Sequence, residues 1–349
     1  MVARESFAAN TAEGKIFSGR IADGERKVTI CQMAYVSTYP MPSAIFTVFT
    51  PTYNRAHTLH RCYDSLKAQT FRDFEWLIVD DGSTDGTADL VAVWQAEGVV
   101  PIRYEALSHG GAHRMHNHCL KSARGQLYIK LDSDDGCEPQ ALERYWYHWN
   151  GIPEADRAGF SGVTALCQDQ NGRLVGTLFP MSPLDCSAAE LEYVHQVSGE
   201  KWGFLRLDVL RQFPFPEAAG NFVPESYIWA QVSTRYKTRH INEQLRVWWM
   251  DAPSLVHGPN DPSINADGHR LMYQMVLNLE SHYVFHAPIK LYKVAGLYGR
   301  FSQHCRIGFM GQLQALRGML PKFIWLLAAP AGTLLYLRDR WRINRSSGD

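Results

Sequence analysis

Residues 74–87 read FEWLIVDDGSTDGT. The run to Asp80 is dominated by aromatic, aliphatic and β-branched side chains, and Asp81-Gly-Ser-Thr-Asp-Gly86 then supplies turn chemistry. A short apolar run bounded by turn formers predicts a strand buried on both faces, and the spacing beyond it predicts a helix from Thr87 to Ala96. Upstream, Ile45–Thr50 is a second such run, ended by Pro51. Leu59, Cys62, Leu66 and Gln69 then recur at helical spacing over His57–Gln69. Downstream, Ile102–Glu105 reads as a strand, Gly111–Ala123 as a helix, and Leu127–Leu131 as a fourth strand running into Asp132-Ser-Asp-Asp135. Strands alternating with helices of this length imply βαβ units and a parallel sheet covered on both faces.

Ligands of such sheets bind beyond the carboxyl ends of the strands. Three polar clusters follow strands directly: Pro51-Thr-Tyr-Asn54, Asp80-Asp-Gly-Ser83 and Asp132-Ser-Asp134. All three are expected to converge on one crevice.

Asp132, Asp134 and Asp135 put three carboxylates within four residues, a set that repels itself unless positive charge sits among it. Oxygen-only donors suit a hard cation, Mg²⁺ or Mn²⁺, held by one or two carboxylates together with substrate phosphates. The alternative reading is an acidic turn capping the helix near Pro139. Asp81 can accept a hydrogen bond from a base N–H. His109, His113 and His116 stand at i, i+4, i+7, but Gly110-Gly111 takes His109 off that face. The expectation is therefore a glycine-led helix start that takes a phosphate or ribose, with Arg114 adding charge. No GxGxxG or GxxxxGK[ST] loop accompanies these strands, which disfavours dinucleotide and P-loop chemistry.

TVFTPTYNR (47–55), the stretch through GSTDGT (73–87) and KLDSDD (130–135) resemble, in order and spacing, family 2 glycosyltransferases. The resemblance is specific over residues 44–150 and thins beyond them. It implies a GT-A (Rossmann-like) α/β fold, a mostly parallel central sheet flanked by helices with a helical C-terminal region. It also implies metal-dependent, inverting transfer from a nucleotide-diphosphate sugar, weighted toward UDP, to a saccharide or polyprenyl-linked saccharide acceptor in cell-surface polysaccharide assembly. Carried across by motif, Pro51, Thr52, Tyr53 and Asp81 lie at the nucleobase. Asp132 and Asp134 hold the metal on the diphosphate, and Asp135 shares it. Glu225, in Phe222-Val-Pro-Glu-Ser226, is the implied general base, with Glu217 as a nearby competitor. Ala112 and His109 stand where relatives often carry Lys and Asn. Trp248-Trp249-Met250-Asp251 is either an aromatic platform for a sugar or a core strand end. Residues 263–305 read as two helices with Tyr273, Leu277, Tyr283 and Phe285 in the core.

The 349 residues carry 35 Lys+Arg and 35 Asp+Glu, a neutral balance that argues against nucleic acid as a partner. Seven cysteines with no CxxC pair resemble neither a disulfide framework nor a zinc module, and suit a reducing compartment. Charge gathers at the C-terminus, where residues 300–349 hold eight basic side chains against Asp339 and Asp349. Within that tail FIWLLAAPAGTLLYL (323–337) is uncharged. Fifteen residues fall short of the about 20 that a spanning helix needs, and Pro330 and Gly332 predict a break. The expectation is a monotopic or re-entrant anchor rather than a buried helix, on the cytoplasmic face of the inner membrane. The domain reading is an N-terminal extension without regular order (1–43), a nucleotide-sugar half (44–150), an acceptor half (151–260) and a membrane-associating helical region (261–349). Two other functions use the same sheet. A sugar nucleotidyltransferase calls for a basic, glycine-rich loop where this chain has Thr52-Tyr-Asn-Arg55, and an inactive carbohydrate-binding scaffold has no need of clustered carboxylates.

Overall fold

The structure, a computed structural model, describes residues 43–217, 220, 222–251 and 261–346. The expectations for residues 1–42 and for 252–260 lie outside these.

The first four strands are β1 (Ala44–Thr52), β2 (Phe74–Asp80), β3 (Ile102–Ala106) and β4 (Gly125–Lys130). They alternate with α1 (His60–Lys67), α2 (Thr87–Glu97) and α3 (Ala112–Ser122), each within a few residues of its sequence expectation. β1 pairs in parallel with both β2 and β4, and β2 with β3, giving the order β3-β2-β1-β4. The strand direction of growth reverses at β1, so the crevice opens beyond Thr52, Asp80 and Lys130.

The second half extends the same sheet. After the two-residue β5 (Gly136–Cys137) and α4 (Ala141–Asn150) come β6 (Phe160–Asp169), β7 (Leu174–Val175), β8 (Leu184–Cys186), α5 (Ala188–Tyr193), β9 (Lys201–Arg206), α6 (Leu207–Leu210), α7 (Ser226–Val232) and β10 (Lys237–Trp248). β9 inserts antiparallel between β4 and β6, while β6 and β10 run parallel. β5 and β8 edge β10, and β7 edges β6, all antiparallel. The sheet is mixed and predominantly parallel along its principal strands.

Two apolar layers explain why β1, β2 and β4 read as continuous hydrophobic runs. Phe46, Val48, Trp76, Ile78, Leu127 and Ile129 face α1, α2 and α4. Phe49, Leu77, Val79 and Tyr128 face α3, α6 and α7.

The chain ends in α8 (Ala266–Glu280), a 3-10 turn (Ser281–Phe285), α9 (Pro288–His304), α10 (Phe309–Ala315) and α11 (Met319–Ser346). Leu277, Ala295, Tyr298, Trp325 and Ala328 form their shared core. Two expectations are corrected here. α11 continues unbroken through Pro330 and Gly332. An interior proline costs roughly 3 kcal/mol, but Pro330 sits on the exposed side while Gly332 lies against α9, where a Cβ would stand 2.5 Å from the Gly296 carbonyl oxygen. Close packing on α9 outweighs the local preference to break. Phe285, expected in the core, is 84% exposed.

Candidate active site

The three strand-end clusters do meet. The loop after β1 is clasped to the loop after β2: the Asn54 backbone N–H donates to Ser83 Oγ at 2.8 Å, Asn54 Oδ1 accepts from the Thr84 N–H at 2.8 Å, and the Ala56 N–H donates to Asp85 Oδ2 at 3.1 Å. Gly82 turns the β2 loop at φ +85°, a conformation that a side chain disfavours. Tyr53 is left projecting, 43% exposed, its ring tilted against His109 at 4.7 Å between centroids. Thr52 is buried, and its Oγ1 has no hydrogen-bond partner among the described residues.

Asp81 is placed differently from the expectation. It is buried, and its two oxygens accept from the Gly110 and Gly111 N–H groups at 2.8 and 2.9 Å, with His109 Nδ1 at 3.0 Å. It thereby fixes the glycine-led turn that opens α3. Arg114 is exposed and folds back over Gly110, its guanidinium lying where a Cβ on residue 110 would stand. His113 and His116 are not ligands on a common open face, because both are buried. His116 Nδ1 sits 2.9 Å from the Tyr128 hydroxyl, and burial lowers its pKa to about 3.

The acidic turn after β4 holds the strongest charges of the crevice. Lys130, the last residue of β4, donates through Nζ to Asp132 Oδ1 at 2.7 Å and to Glu225 Oε1 at 2.6 Å. Its backbone carbonyl accepts from the Trp202 indole N–H. Arg246 of β10 donates to Asp132 Oδ2 at 2.7 Å and pairs with Asp135. Burial alone disfavours each of these charges. For Lys130 the facing carboxylates outweigh it and hold the ammonium above the ordinary lysine range; for Asp132 the two cations hold the carboxyl well below the ordinary range.

Asp135 is not placed to share a metal. Its side chain is 1% exposed, with Arg246 on Oδ2 and the Trp249 N–H donating to Oδ1 at 3.0 Å. It is a buried counter-charge that anchors the end of β10 to the turn. Asp132 and Asp134 are the more exposed carboxylates of the turn, at 34% and 22%; Lys130 and Arg246 each hold one oxygen of Asp132, whereas Arg55 meets Asp134 loosely at 3.9 Å. Among the described residues no three metal-ligating side chains converge. The donor set therefore fits a Mg²⁺ or Mn²⁺ shared with phosphate oxygens, for which one or two carboxylates suffice, and does not fit an all-protein cage.

Glu225 lies immediately before α7 and reaches the cluster through Lys130. Glu217 is 83% exposed and faces Lys121, 3.9 Å away in the last turn of α3, so it is removed from the crevice. Trp249, the candidate sugar platform, is half-buried. Arg61 covers its ring at 4.3 Å and is itself held by both oxygens of Asp251 at 2.8 Å. Lys130 and Arg246 were missed in the sequence. Lys130 stands within KLDSDD and carried a readable signal, whereas Arg246 lies 111 residues from Asp135 and only sheet pairing brings it in.

Residues 47–166 match the profile of glycosyl transferase family 2. This match to family 2 glycosyltransferases covers about a third of the chain. Within it, the hyaluronan synthase of Pasteurella multocida is 34% identical over 119 residues, which is 34% of this chain and 12% of that protein. The poly(ribitol-phosphate) beta-glucosyltransferase of Bacillus spizizenii is 33% identical over 114 residues, 32% of this chain and 18% of that protein. The matched segments thus span less than a fifth of the length of these relatives. Among solved structures, residues 1–349 of S. aureus TarS in complex with UDP superpose with a TM-score of 0.57 at 17% identity, covering 86% of this chain and 92% of that one. The likeness is one of fold, a GT-A-like α/β architecture over most of the chain.

Proposed function

We propose that this protein moves a hexosyl unit, with inversion, from a nucleotide-diphosphate sugar to a saccharide or lipid-linked saccharide in cell-surface polysaccharide assembly. The observation that carries the reading is the Asp132–Lys130–Glu225 bridge, which joins the first carboxylate of the acidic turn to the candidate base through one ammonium. UDP is the favoured nucleotide, since S. aureus TarS, of like fold, binds UDP and UDP-GlcNAc.

In this reading residues 44–150 hold the donor and residues 151–260 the acceptor. The exposed Tyr53–His109 pair and the Thr52 hydroxyl, which has no hydrogen-bond partner among the described residues, line the nucleoside end, while Arg114 stands by the glycine turn for a phosphate. Asp132 and Asp134 would hold Mg²⁺ or Mn²⁺, which offsets charge developing on the departing diphosphate. Glu225 takes the proton of the acceptor hydroxyl as that oxygen attacks the anomeric carbon, and the diphosphate leaves from the opposite face. Lys130 fixes the Glu225 carboxylate toward the reacting centre and supplies positive charge beside the leaving group. The basic C-terminal helices keep the enzyme on the cytoplasmic face of the inner membrane.

The test is transfer of labelled sugar from UDP-sugars to lipid-linked saccharides in membrane extracts. Glu225→Gln is expected to lose 10²–10⁴-fold in turnover, the size of a general-base contribution, with donor binding retained. Loss of donor binding instead assigns Glu225 a structural role, and undiminished turnover removes it from the chemistry.

A further inference from the structure

α11 has two unlike faces. Ile324, Trp325, Ala328 and Gly332 pack inward on α9, while Met319, Phe323, Leu327, Leu334, Leu337 and Trp341, spaced by three, four or seven residues, share the outside, each more than half exposed. At 1.5 Å per residue this outer stripe is about 33 Å long. Phe285 and Ile289, 84% and 71% exposed, widen it across the start of α9. Between the two elements runs an apolar groove of about 570 Å³, lined by Pro288, Tyr292, Leu320 and Ile324 among others. Soluble monomers rarely display so continuous an apolar surface without a partner.

By length and composition α11 is able to cross a bilayer, but its packing opposes that. Asp339 is buried against α9, accepting from Arg300 Nε and Nη2 at 2.5 and 2.9 Å with His304 Nε2 at 3.1 Å. Crossing alone would strip this carboxylate of its partners and carry it into hydrocarbon. Held on α9, the helix offers only its outer stripe.

Charge selects the partner. Arg317 and Lys322 stand at one end of the stripe, and Arg338, Arg340, Arg342 and Arg345 at the other. Arg345 lies over the Trp341 ring at 3.9 Å, an aromatic–cation pair suited to the headgroup level. Two copies meeting stripe to stripe would bring like-charged ends together, whereas anionic headgroups complement both ends.

We propose that the outer faces of α9 and α11 form a docking surface for an anionic lipid bilayer, with α11 lying in the membrane plane instead of spanning it. The stripe sinks to the depth of an interfacial helix, about 5–10 Å, with Phe285, Ile289, Phe323 and Leu327 deepest. This deepens the membrane-surface reading above and is independent of the transfer chemistry, so the two fail separately.

The test is flotation of the full chain with vesicles of phosphatidylglycerol and phosphatidylethanolamine, and with phosphatidylcholine alone. The wild type is expected to float with the anionic vesicles, to lose most of that binding in 0.5 M salt or on phosphatidylcholine, and to be released by alkaline carbonate. Phe285→Asp/Phe323→Asp, at solvent-exposed positions, is expected to lower the bound fraction at least tenfold with the melting temperature and the nucleotide-induced thermal shift unchanged. Absence of wild-type binding to anionic vesicles overturns the proposal, as does a lipid-free dimer that the double variant dissociates without any vesicle binding. Retention after carbonate overturns the in-plane geometry. Loss of flotation with the nucleotide response intact leaves the glycosyltransferase reading standing, and the converse leaves the docking surface standing.

Discussion

Lys130 Nζ lies 2.6 Å from Glu225 Oε1, across 95 residues of sequence, and the same nitrogen holds Asp132 at 2.7 Å. Two carboxylates with different assignments therefore share one ammonium at the carboxyl end of β4. Removing that cation takes this partner from Glu225 and leaves Asp132 with Arg246, so the repulsion between the two carboxylates is less well screened. Lys130→Ala is expected to lower turnover at least tenfold, with Lys130→Arg recovering part of the loss because a cation is restored. Full turnover in Lys130→Ala, measured by sugar transfer, contradicts the role of the bridge.

Asp134 is the other open carboxylate of the turn, loosely met by Arg55 and unburdened by a buried partner. Asp134→Asn is expected to keep the melting temperature of the wild type while losing the extra stabilisation that Mn²⁺ adds to nucleotide binding. A Mn²⁺-dependent shift of wild-type size in this variant excludes Asp134 as a ligand.

Arg246 tests a different aspect of the same cluster. It is 11% exposed and neutralises Asp135, which is 1% exposed. Breaking a buried pair by removing one partner costs about 3–5 kcal/mol, because the remaining charge is stranded. Arg246→Ala is expected to lose that much in urea unfolding, and a loss under about 1 kcal/mol is incompatible with Asp135 being a buried, ionised anchor.

The acid side of the stability profile has an identifiable contributor in His240 on β10. Burial lowers its pKa from 6.5 to about 4. Between those values the unfolded chain binds a proton that the folded chain refuses, so the stability it contributes is present above pH 6.5 and lost as pH falls toward 4. At pH 5 the loss attributable to this residue is on the order of 2 kcal/mol. His240→Phe, beside the Phe179 ring at 5.2 Å, is expected to lose about that much less than the wild type between pH 7.5 and pH 5 in urea unfolding. Parallel profiles would show that His240 is not held neutral.

The sequence revealed what local chemistry dictates. β1, β2 and β4 are buried on both faces, so their apolar runs are continuous, and the polar residues that follow each of them mark the crevice. It did not reveal what depends on pairing at a distance. β9 enters antiparallel between β4 and β6, and the parallel pairing of β6 with β10 delivers Arg246 to Asp132 and Asp135. The amides that Asp81 accepts from belong to Gly110 and Gly111, nearly thirty residues on, so its part in fixing the α3 turn was not legible locally. Pro330 signalled a break that packing of Gly332 on α9 overrides. Phe285 shows the limit of apolar periodicity, which identifies a face but not whether protein or lipid covers it.

The most direct test of the nucleotide-sugar site is thermal unfolding of the full chain with UDP, GDP, dTDP or CMP, each with and without Mn²⁺. A ligand that binds only the folded state must raise its stability, by RT ln(1 + [L]/Kd). The account predicts a rise in melting temperature with one nucleoside diphosphate, UDP foremost, that requires the metal and disappears in Asp134→Asn. No shift with any nucleotide, with or without metal, would contradict a donor site at the ends of β1, β2 and β4.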